Sequence, residues 1–167
     1  MMQNLEFRKA TRGEIPLVVE IYDSVRNGEF CVWSDSYPTV EDAVADEAAG
    51  CLYVLVKDGD VIGCASVEPV AEDDDLPFWR VVDGSHREIS RIAIAPRMQG
   101  RGYARVMVSA LISELEATGV SSVHLLAAKK NPPAYKTYRA LGFEFLGECF
   151  RYGAEYFVCE KVLRDRA

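Results

Sequence analysis

The chain has 167 residues, the size of about one domain, and its 49% hydrophobic and 27% charged residues are typical of a globular protein. This composition excludes disordered, collagen-like and coiled-coil classes. Nineteen Lys and Arg against 26 Asp and Glu give a net charge of −7, a sign that argues against nucleic acid as a partner. The acidic surface suits a cationic partner such as an amine, or it only aids solubility. We expect a single domain over residues 1–167.

The five cysteines and two histidines form no familiar ligand motif. The cysteines are widely spaced and never arranged as CxxC, and no HExxH occurs. We therefore expect neither a disulfide framework nor a metal centre. The first ten residues are polar and charged, and no segment approaches the roughly 18 apolar residues of a membrane span. These features predict a cytoplasmic protein without a membrane partner.

The first fifty residues predict one strand and two helices. Leu5–Ala10 alternates apolar and polar residues, and Thr11 with Glu14 forms a capping box for the helix that follows. Apolar residues at helical spacing continue that helix over Ile15–Val25. A second, acidic helix is predicted from the cap at Thr39 to about residue 49.

An aromatic connector, Glu29–Pro38, separates these two helices. It places Phe30, Trp33 and Tyr37 between polar residues without a regular period. Aromatic side chains in such a loop form either a lid over the edge of the core or the wall of a substrate pocket. We keep both interpretations and name the three residues as a candidate substrate wall.

Two β-rich runs come next. Cys51–Lys57 and Val61–Glu68 are joined by Asp58-Gly59-Asp60, which predicts an antiparallel hairpin. The carboxylate run Glu72–Asp75 predicts a solvated, mobile loop, with a metal or amine site as the alternative.

The second half of the chain predicts a parallel βαβ unit. Strand His86–Ala95, helix Gly100–Thr118 and strand Ser122–Ala128 follow one another, and a helical crossover makes the two strands parallel. Asn131 caps a fourth helix, and a final hairpin spans residues 144–162. The predicted fold is α/β: a mixed, twisted sheet of six to seven strands flanked by about four helices.

A glycine-rich turn connects the fourth strand to the third helix. Gly100 and Gly102 let the backbone approach a ligand, and the first N–H groups of a helix favour a phosphate. Arg97, Arg101 and Arg105 add positive charge to the same corner. The turn is therefore a candidate anion site, or a tight turn with surface arginines.

Two motifs within this order resemble the GNAT superfamily of N-acetyltransferases. The first, Gln/Arg-x-x-Gly-x-Gly/Ala, is matched by Gln99, Gly102 and Ala104. The second, Asn-x-x-Ala-x-x-x-Tyr-x-x-x-Gly-Phe, is matched without a gap by residues 131–143. The segment from Trp33 to Tyr37-Pro38-Thr39 is similar to a small bacterial type within that superfamily.

The resemblance implies acetyl-CoA as co-substrate and no metal. It places the pyrophosphate on the turn amides, the pantetheine arm on fourth-strand backbone, and a further contact at the helix-four cap. An amide of that strand can also polarise the thioester carbonyl. The implied cofactor-binding residues are Ile92, Ile94, Gln99, Gly100, Arg101, Gly102, Tyr103, Ala104 and Asn131. For Asn131 a purely capping role stays open.

The resemblance also implies the catalytic groups. Tyr138 matches the acid that protonates the departing thiolate, with a core tyrosine as the alternative and Tyr135 as a substitute. Glu88, six residues before Ile94, matches the base of some members, and otherwise it is a strand-end carboxylate with water taking the proton.

The expected reaction moves an acetyl group directly from acetyl-CoA to a primary amine of a small molecule. Two alternatives stay open: acetylation of a protein or peptide at lysine or at its N-terminus, and a non-catalytic acyl-CoA-binding sensor. The last hairpin could pair two subunits, which leaves a homodimer open.

Overall fold

The computed structural model describes residues 4–164. Its seven strands are hydrogen-bonded in the order β1-β2-β3-β4-β5-β7-β6, and this confirms the predicted mixed α/β sheet with four helices. The strands are β1 (Leu5–Lys9), β2 (Leu52–Lys57), β3 (Asp60–Glu68), β4 (His86–Ile94), β5 (Ser122–Ala128), β6 (Glu144–Arg151) and β7 (Ala154–Val162). The helices are α1 (Ile15–Arg26), α2 (Val40–Ala48), α3 (Tyr103–Ala117) and α4 (Pro132–Ala140).

Residue contacts divide the chain into two compact units. Unit one comprises the chain up to Val67 together with Arg91–Met107, and unit two comprises Glu68–Ser90 and the chain from Val108 onward. The single domain over residues 1–167 stays a prediction, and its first and last three residues lie outside the described part. Within residues 4–164, no helix combines the length and apolar character needed to cross a membrane.

Unit one is built on the antiparallel strands β1, β2 and β3. Leu5 pairs with Lys57 at one end of the β1/β2 ladder and Lys9 with Tyr53 at the other. The apolar face of α1 packs into one core cluster with β2, because its helical spacing aligns Ile15, Val18, Ile21 and Tyr22 on one side. That cluster also contains Leu52, Val54, Val56, Cys64, Ala93 and Ala95.

The predicted capping box at Thr11 and Glu14 is present. The Thr11 backbone N–H donates to Glu14 Oε1 at 2.8 Å, and a short 3-10 turn leads into α1. Arg8 donates to both carboxylate oxygens of Glu14 at 2.8 and 2.9 Å. The Arg8 guanidinium lowers the pKa of Glu14 to about 2, so the two side chains form an ion pair at neutral pH.

Strands β3 and β4 approach closely at Gly63. A Cβ built there would lie 2.7 Å from Ile94 Cδ1 and 3.2 Å from the Ala93 carbonyl oxygen. A side chain at residue 63 would therefore push the end of the Ile94 side chain aside and crowd the Ala93 carbonyl. The Ala95 N–H also donates to the Ile62 carbonyl at 2.8 Å, which fixes the end of β4 within unit one.

Unit two contains the parallel pairing that the crossover predicts. His86 to Glu88 pair with Ser122 to His124, while β7 runs antiparallel to both β5 and β6. Phe78 packs over Gly147 of β6, where a Cβ would lie 2.5 Å from its ring.

The structure contradicts part of the prediction that the carboxylate run Glu72–Asp75 is a solvated loop. Residues 72–75 form a single 3-10 turn, and only Glu72 and Asp75 are exposed as a solvated loop requires. Asp73 is buried, with Arg151 Nη1 and the Tyr152 hydroxyl each donating to its Oδ1 at 3.0 Å. The prediction is wrong for Asp73 because these partners lie about eighty residues away in sequence, outside any local pattern.

Candidate active site

The predicted anion site has the backbone that its glycines allow. Gly100 and Gly102 adopt φ of 75° and 85°, and α3 begins directly after them at Tyr103. Nothing lies within 4 Å of a Cβ built at either glycine, so the turn is open on that side. A helix start leaves its first N–H groups without partners inside the helix, so this turn is suited to a phosphate.

Gln99 has a structural role within that turn. Its Nε2 donates to the Ile94 carbonyl at 3.0 Å and ties the turn back to the end of β4. The side chain predicted to bind a cofactor therefore shapes the loop that would do so. Arg97, Arg101 and Arg105 are exposed in the same stretch of chain.

The backbone of β4 is distorted at Arg91, just before the predicted pantetheine positions. Arg91 has a φ of 48°, which is rare for a residue with a side chain. Ile92 is half-buried and Ile94 is buried. The strand interior therefore contains a left-handed residue that no sequence pattern indicated.

Two of the three candidate wall residues come together in unit one. Trp33 and Tyr37 make an edge contact with centroids 6.4 Å apart, and Trp33 also contacts Tyr22 at 5.8 Å. Trp33 packs on the core cluster, so its position fits the lid interpretation as well. Phe30 is exposed and, within residues 4–164, makes no ring contact with either of them.

Glu88 lies in unit two, where it faces another carboxyl group. It is only 4% exposed, and burial together with a hydrogen bond to Asp73 raises the pKa of Glu88 to about 10. The negative charges of Glu68 and Asp74 act in the same direction. Glu88 therefore carries a proton at neutral pH and donates it to Asp73, a partner that sequence reasoning missed.

Tyr138 and Asn131 occupy the two ends of α4. The Asn131 side chain accepts from the Ala134 N–H at 3.2 Å, so the predicted cap is present. Tyr138 is 7% exposed and packs against Phe143 with centroids 6.0 Å apart. Burial raises the pKa of its phenol, which keeps the hydroxyl protonated at neutral pH. Tyr135 instead contacts Phe157 at 5.2 Å.

One cluster in unit two brings possible metal ligands together. Asp74, His86 and His124 offer ligand atoms within 4.8 Å of one another. However, Trp79, His124 and His86 form a stack with centroid separations of 3.8 and 4.8 Å and ring planes within 21° of parallel. The His86 and His124 rings therefore pack face to face within this cluster.

Glu160 completes this buried cluster. It accepts from the Arg80 N–H at 2.7 Å and from the Ser122 hydroxyl at 2.6 Å, and it contacts His124 Nε2 at 3.2 Å. These contacts offset the free-energy cost of removing the Glu160 carboxylate from water.

Comparison with known families agrees with the motifs. A sequence model of the Acetyltransferase (GNAT) family matches residues 18–143, which include the glycine turn and α4. The chain belongs to the GNAT acetyltransferase family. The resemblance to the GNAT superfamily is thereby confirmed.

Individual relatives of this GNAT protein are distant. It is 38% identical over 52 residues to a [ribosomal protein bS18]-alanine N-acetyltransferase of Haemophilus ducreyi, covering 31% of this chain and 36% of that protein. It is 23% identical over 122 residues to human N-acetylaspartate synthetase, covering 73% of this chain and 37% of that protein. The chain thus matches little more than a third of the length of these relatives.

A solved structure extends the likeness to the whole fold. An acetyltransferase from Salmonella typhimurium, determined with its cofactor acetyl-CoA, superposes with a TM-score of 0.76 at 22% identity. The match covers 98% of this GNAT chain and 96% of that one. At this identity the likeness shows the fold.

Proposed function

We propose that this GNAT protein transfers an acetyl group from acetyl-CoA directly to a primary amine of a small molecule. The observation that carries the proposal is the open glycine turn at Gly100 and Gly102, which leads into the N-terminus of α3. It supplies backbone donors and helix dipole where a pyrophosphate would bind. The small bacterial type, suggested by Trp33 and Tyr37-Pro38-Thr39, is part of the proposal.

Acetyl-CoA supplies the activated acetyl thioester. In this proposal the residues of the turn bind its pyrophosphate through backbone N–H groups, while the side chains of Arg97, Arg101 and Arg105 add charge. The backbone at Ile92 and Ile94 binds the pantetheine arm, and Asn131 contributes in addition to its cap. The proposed residues are Ile92, Ile94, Gln99, Gly100, Arg101, Gly102, Tyr103, Ala104 and Asn131.

Tyr138 is proposed as the acid. When the amine nitrogen bonds to the acetyl carbon, the carbon–sulfur bond breaks and the thiolate needs a proton. Burial keeps the Tyr138 phenol protonated at neutral pH, which is the state an acid must have, and its place in the Asn131–Phe143 motif carries the assignment. The alternative of a core tyrosine predicts no loss of turnover when its hydroxyl is removed.

Glu88 is proposed as the group that accepts the proton of the amine. Burial and the neighbouring Asp73 raise the pKa of Glu88 well above its ordinary value, so its carboxyl can accept an amine proton only after it has lost its own. If Glu88 has this role, turnover rises as pH increases above neutrality and Glu88→Gln removes that rise; if water takes the proton, Glu88→Gln leaves the pH profile unchanged.

Acetylation of a protein N-terminus is the second candidate. It is favoured by the similarity to a relative named as a bS18-alanine N-acetyltransferase, whereas the relative named N-acetylaspartate synthetase favours a small molecule. Phe30, Trp33 and Tyr37 are proposed to line the acceptor site in either case. The cytoplasmic location, a homodimer and the absence of a metal requirement stay predictions.

Release of free thiol from acetyl-CoA tests the proposal and separates the candidates. Acceptors are 1,4-diaminobutane, L-aspartate, a hexapeptide beginning with alanine, and the same hexapeptide with its N-terminus blocked. Turnover with a small amine supports the first candidate, and turnover with only the unblocked peptide supports the second. Binding of acetyl-CoA by calorimetry without turnover on any acceptor would favour the sensor.

A further inference from the structure

The left-handed residue in β4 is held by a buried ion pair. Arg91 Nε and Nη2 donate to the two oxygens of Asp46 at 2.9 and 3.0 Å. The Arg91 and Asp46 side chains are only 9% and 13% exposed. This is the bidentate geometry in which an arginine and a carboxylate fix each other most firmly.

Other elements of unit one fix the two partners in turn. The Ser66 hydroxyl of β3 donates to Asp46 Oδ2 at 2.6 Å, and Arg91 Nη1 donates to the Tyr37 hydroxyl at 3.1 Å. Asp46 belongs to α2, so the guanidinium connects β4 with the second helix and the aromatic connector. The Arg91–Asp46 ion pair is therefore part of a hydrogen-bond network that also includes Ser66 and Tyr37.

The backbone of Arg91 needs such an anchor. A positive φ places Cβ against the following carbonyl oxygen, so residues other than glycine rarely adopt it within a strand. A left-handed residue also interrupts the alternation of a strand and redirects the peptide groups that follow it. The next peptide groups along β4 are those of Ile92 and Ile94.

We propose that Arg91 is a positioning residue: its ion pair with Asp46 holds residue 91 left-handed and thereby aims the following amides of β4 at the acetyl thioester. The inference rests on the proposed function, because it gives these amides a role only if acetyl-CoA binds there. Arg91 itself touches no reacting atom in this account. Its side chain acts through the backbone.

Two double variants separate conformation from charge. R91G/D46N and R91A/D46N both lack the ion pair and leave no unpaired buried carboxylate, and they differ only in the freedom of residue 91 to adopt a positive φ. We expect R91G/D46N to keep the acetyl-CoA affinity of the wild type within about threefold. R91A/D46N should bind roughly 5- to 30-fold more weakly than R91G/D46N, since that factor corresponds to the penalty of a left-handed alanine.

The readouts are the Kd for acetyl-CoA by calorimetry and kcat by thiol release with the best amine of the panel. Equal affinities and equal kcat in the two double variants would overturn the inference, because the conformation of residue 91 would then be irrelevant. If Arg91 contributes only to the stability of the fold, the two double variants should likewise have equal affinities and equal kcat. Circular dichroism confirms that both variants are folded at the assay temperature.

A measurement without ligand keeps this inference distinct from the proposed function. Backbone ¹³C chemical shifts report φ at residue 91, which should be left-handed in the wild type and in R91G/D46N but not in R91A/D46N. A left-handed residue 91 in R91A/D46N would show that the strand imposes the conformation, and would overturn the anchoring role. Failure of the wild type to bind acetyl-CoA would refute the proposed function, whatever the shifts show.

Discussion

The proton shared by Glu88 and Asp73 makes the stability of the protein depend on pH in an unusual direction. Below pH 4.5, the ordinary pKa of Glu88, its carboxyl is protonated in both the folded and the unfolded chain. Above that pH only the unfolded chain releases the proton until about pH 10, so the free energy of unfolding falls as pH rises. The substitution Glu88→Gln removes this dependence, and its amide still donates to Asp73.

The size of the effect follows from proton linkage. Each pH unit between the two pKa values changes the free energy of unfolding by about 1.4 kcal/mol for one proton. Relative to the wild type, the Glu88→Gln variant should therefore become more stable by about 1.4 kcal/mol per pH unit, or roughly 4 kcal/mol between pH 5 and pH 8. In a chain of this size that difference in the free energy of unfolding corresponds to a Tm difference of roughly 8 to 16 °C.

Urea unfolding followed by circular dichroism at pH 5, 6, 7 and 8 measures this difference. Glu20→Gln is the matched control, because it makes the same chemical change at an exposed position on α1. Parallel curves for Glu88→Gln and the wild type would refute the reasoning. So would a Glu88→Gln variant that is less stable than the wild type at pH 8.

Three further changes test other parts of the molecule. Tyr138→Phe should lower kcat by about 10²- to 10⁴-fold and leave the Kd for acetyl-CoA unchanged. The control Tyr135→Phe should leave both kcat and Kd within about twofold of the wild type. Unchanged kcat in Tyr138→Phe would show that Tyr138 is not the acid. Gly102→Ala should weaken acetyl-CoA binding about 5- to 30-fold in calorimetry, because a φ of 85° strains any side chain; wild-type affinity would mean that the turn is not the anion site. Glu14→Gln should be less stable than the wild type by roughly 1 to 3 kcal/mol at pH 7, and this loss should vanish as pH falls from 4.5 toward 2, since the depressed pKa stabilises the fold only while Glu14 is ionised. Urea unfolding at pH 7 and pH 2.5 checks the last prediction, and a loss that persists at the lower pH would contradict it.

The elements that sequence alone predicted are those whose cause is local. Helical spacing in α1, the box at Thr11 and Glu14 and the crossover between β4 and β5 each involve neighbours within one segment, and the structure confirms them. The glycine turn was also predictable, because glycines such as Gly100 and Gly102 adopt positive φ values without a steric penalty.

The features that sequence could not predict depend on distant partners. Asp73 is buried because Arg151 and Tyr152 reach it from another hairpin. Arg91 is left-handed although nothing in its neighbours favours that conformation, and Asp46 is 45 residues away in the chain. Such pairs become visible only once the strands are in register, since no periodicity in the sequence encodes them.

The ring stack over His124 gives the molecule an internal reporter. The chain has two tryptophans, and each unit contains one: Trp33 lies on the core cluster of unit one, and Trp79 stacks on His124 in unit two. In Trp33→Phe the fluorescence reports the surroundings of Trp79 alone, and in Trp79→Phe it reports those of Trp33 alone. The loss of structure in each unit can therefore be followed by a separate fluorescence signal.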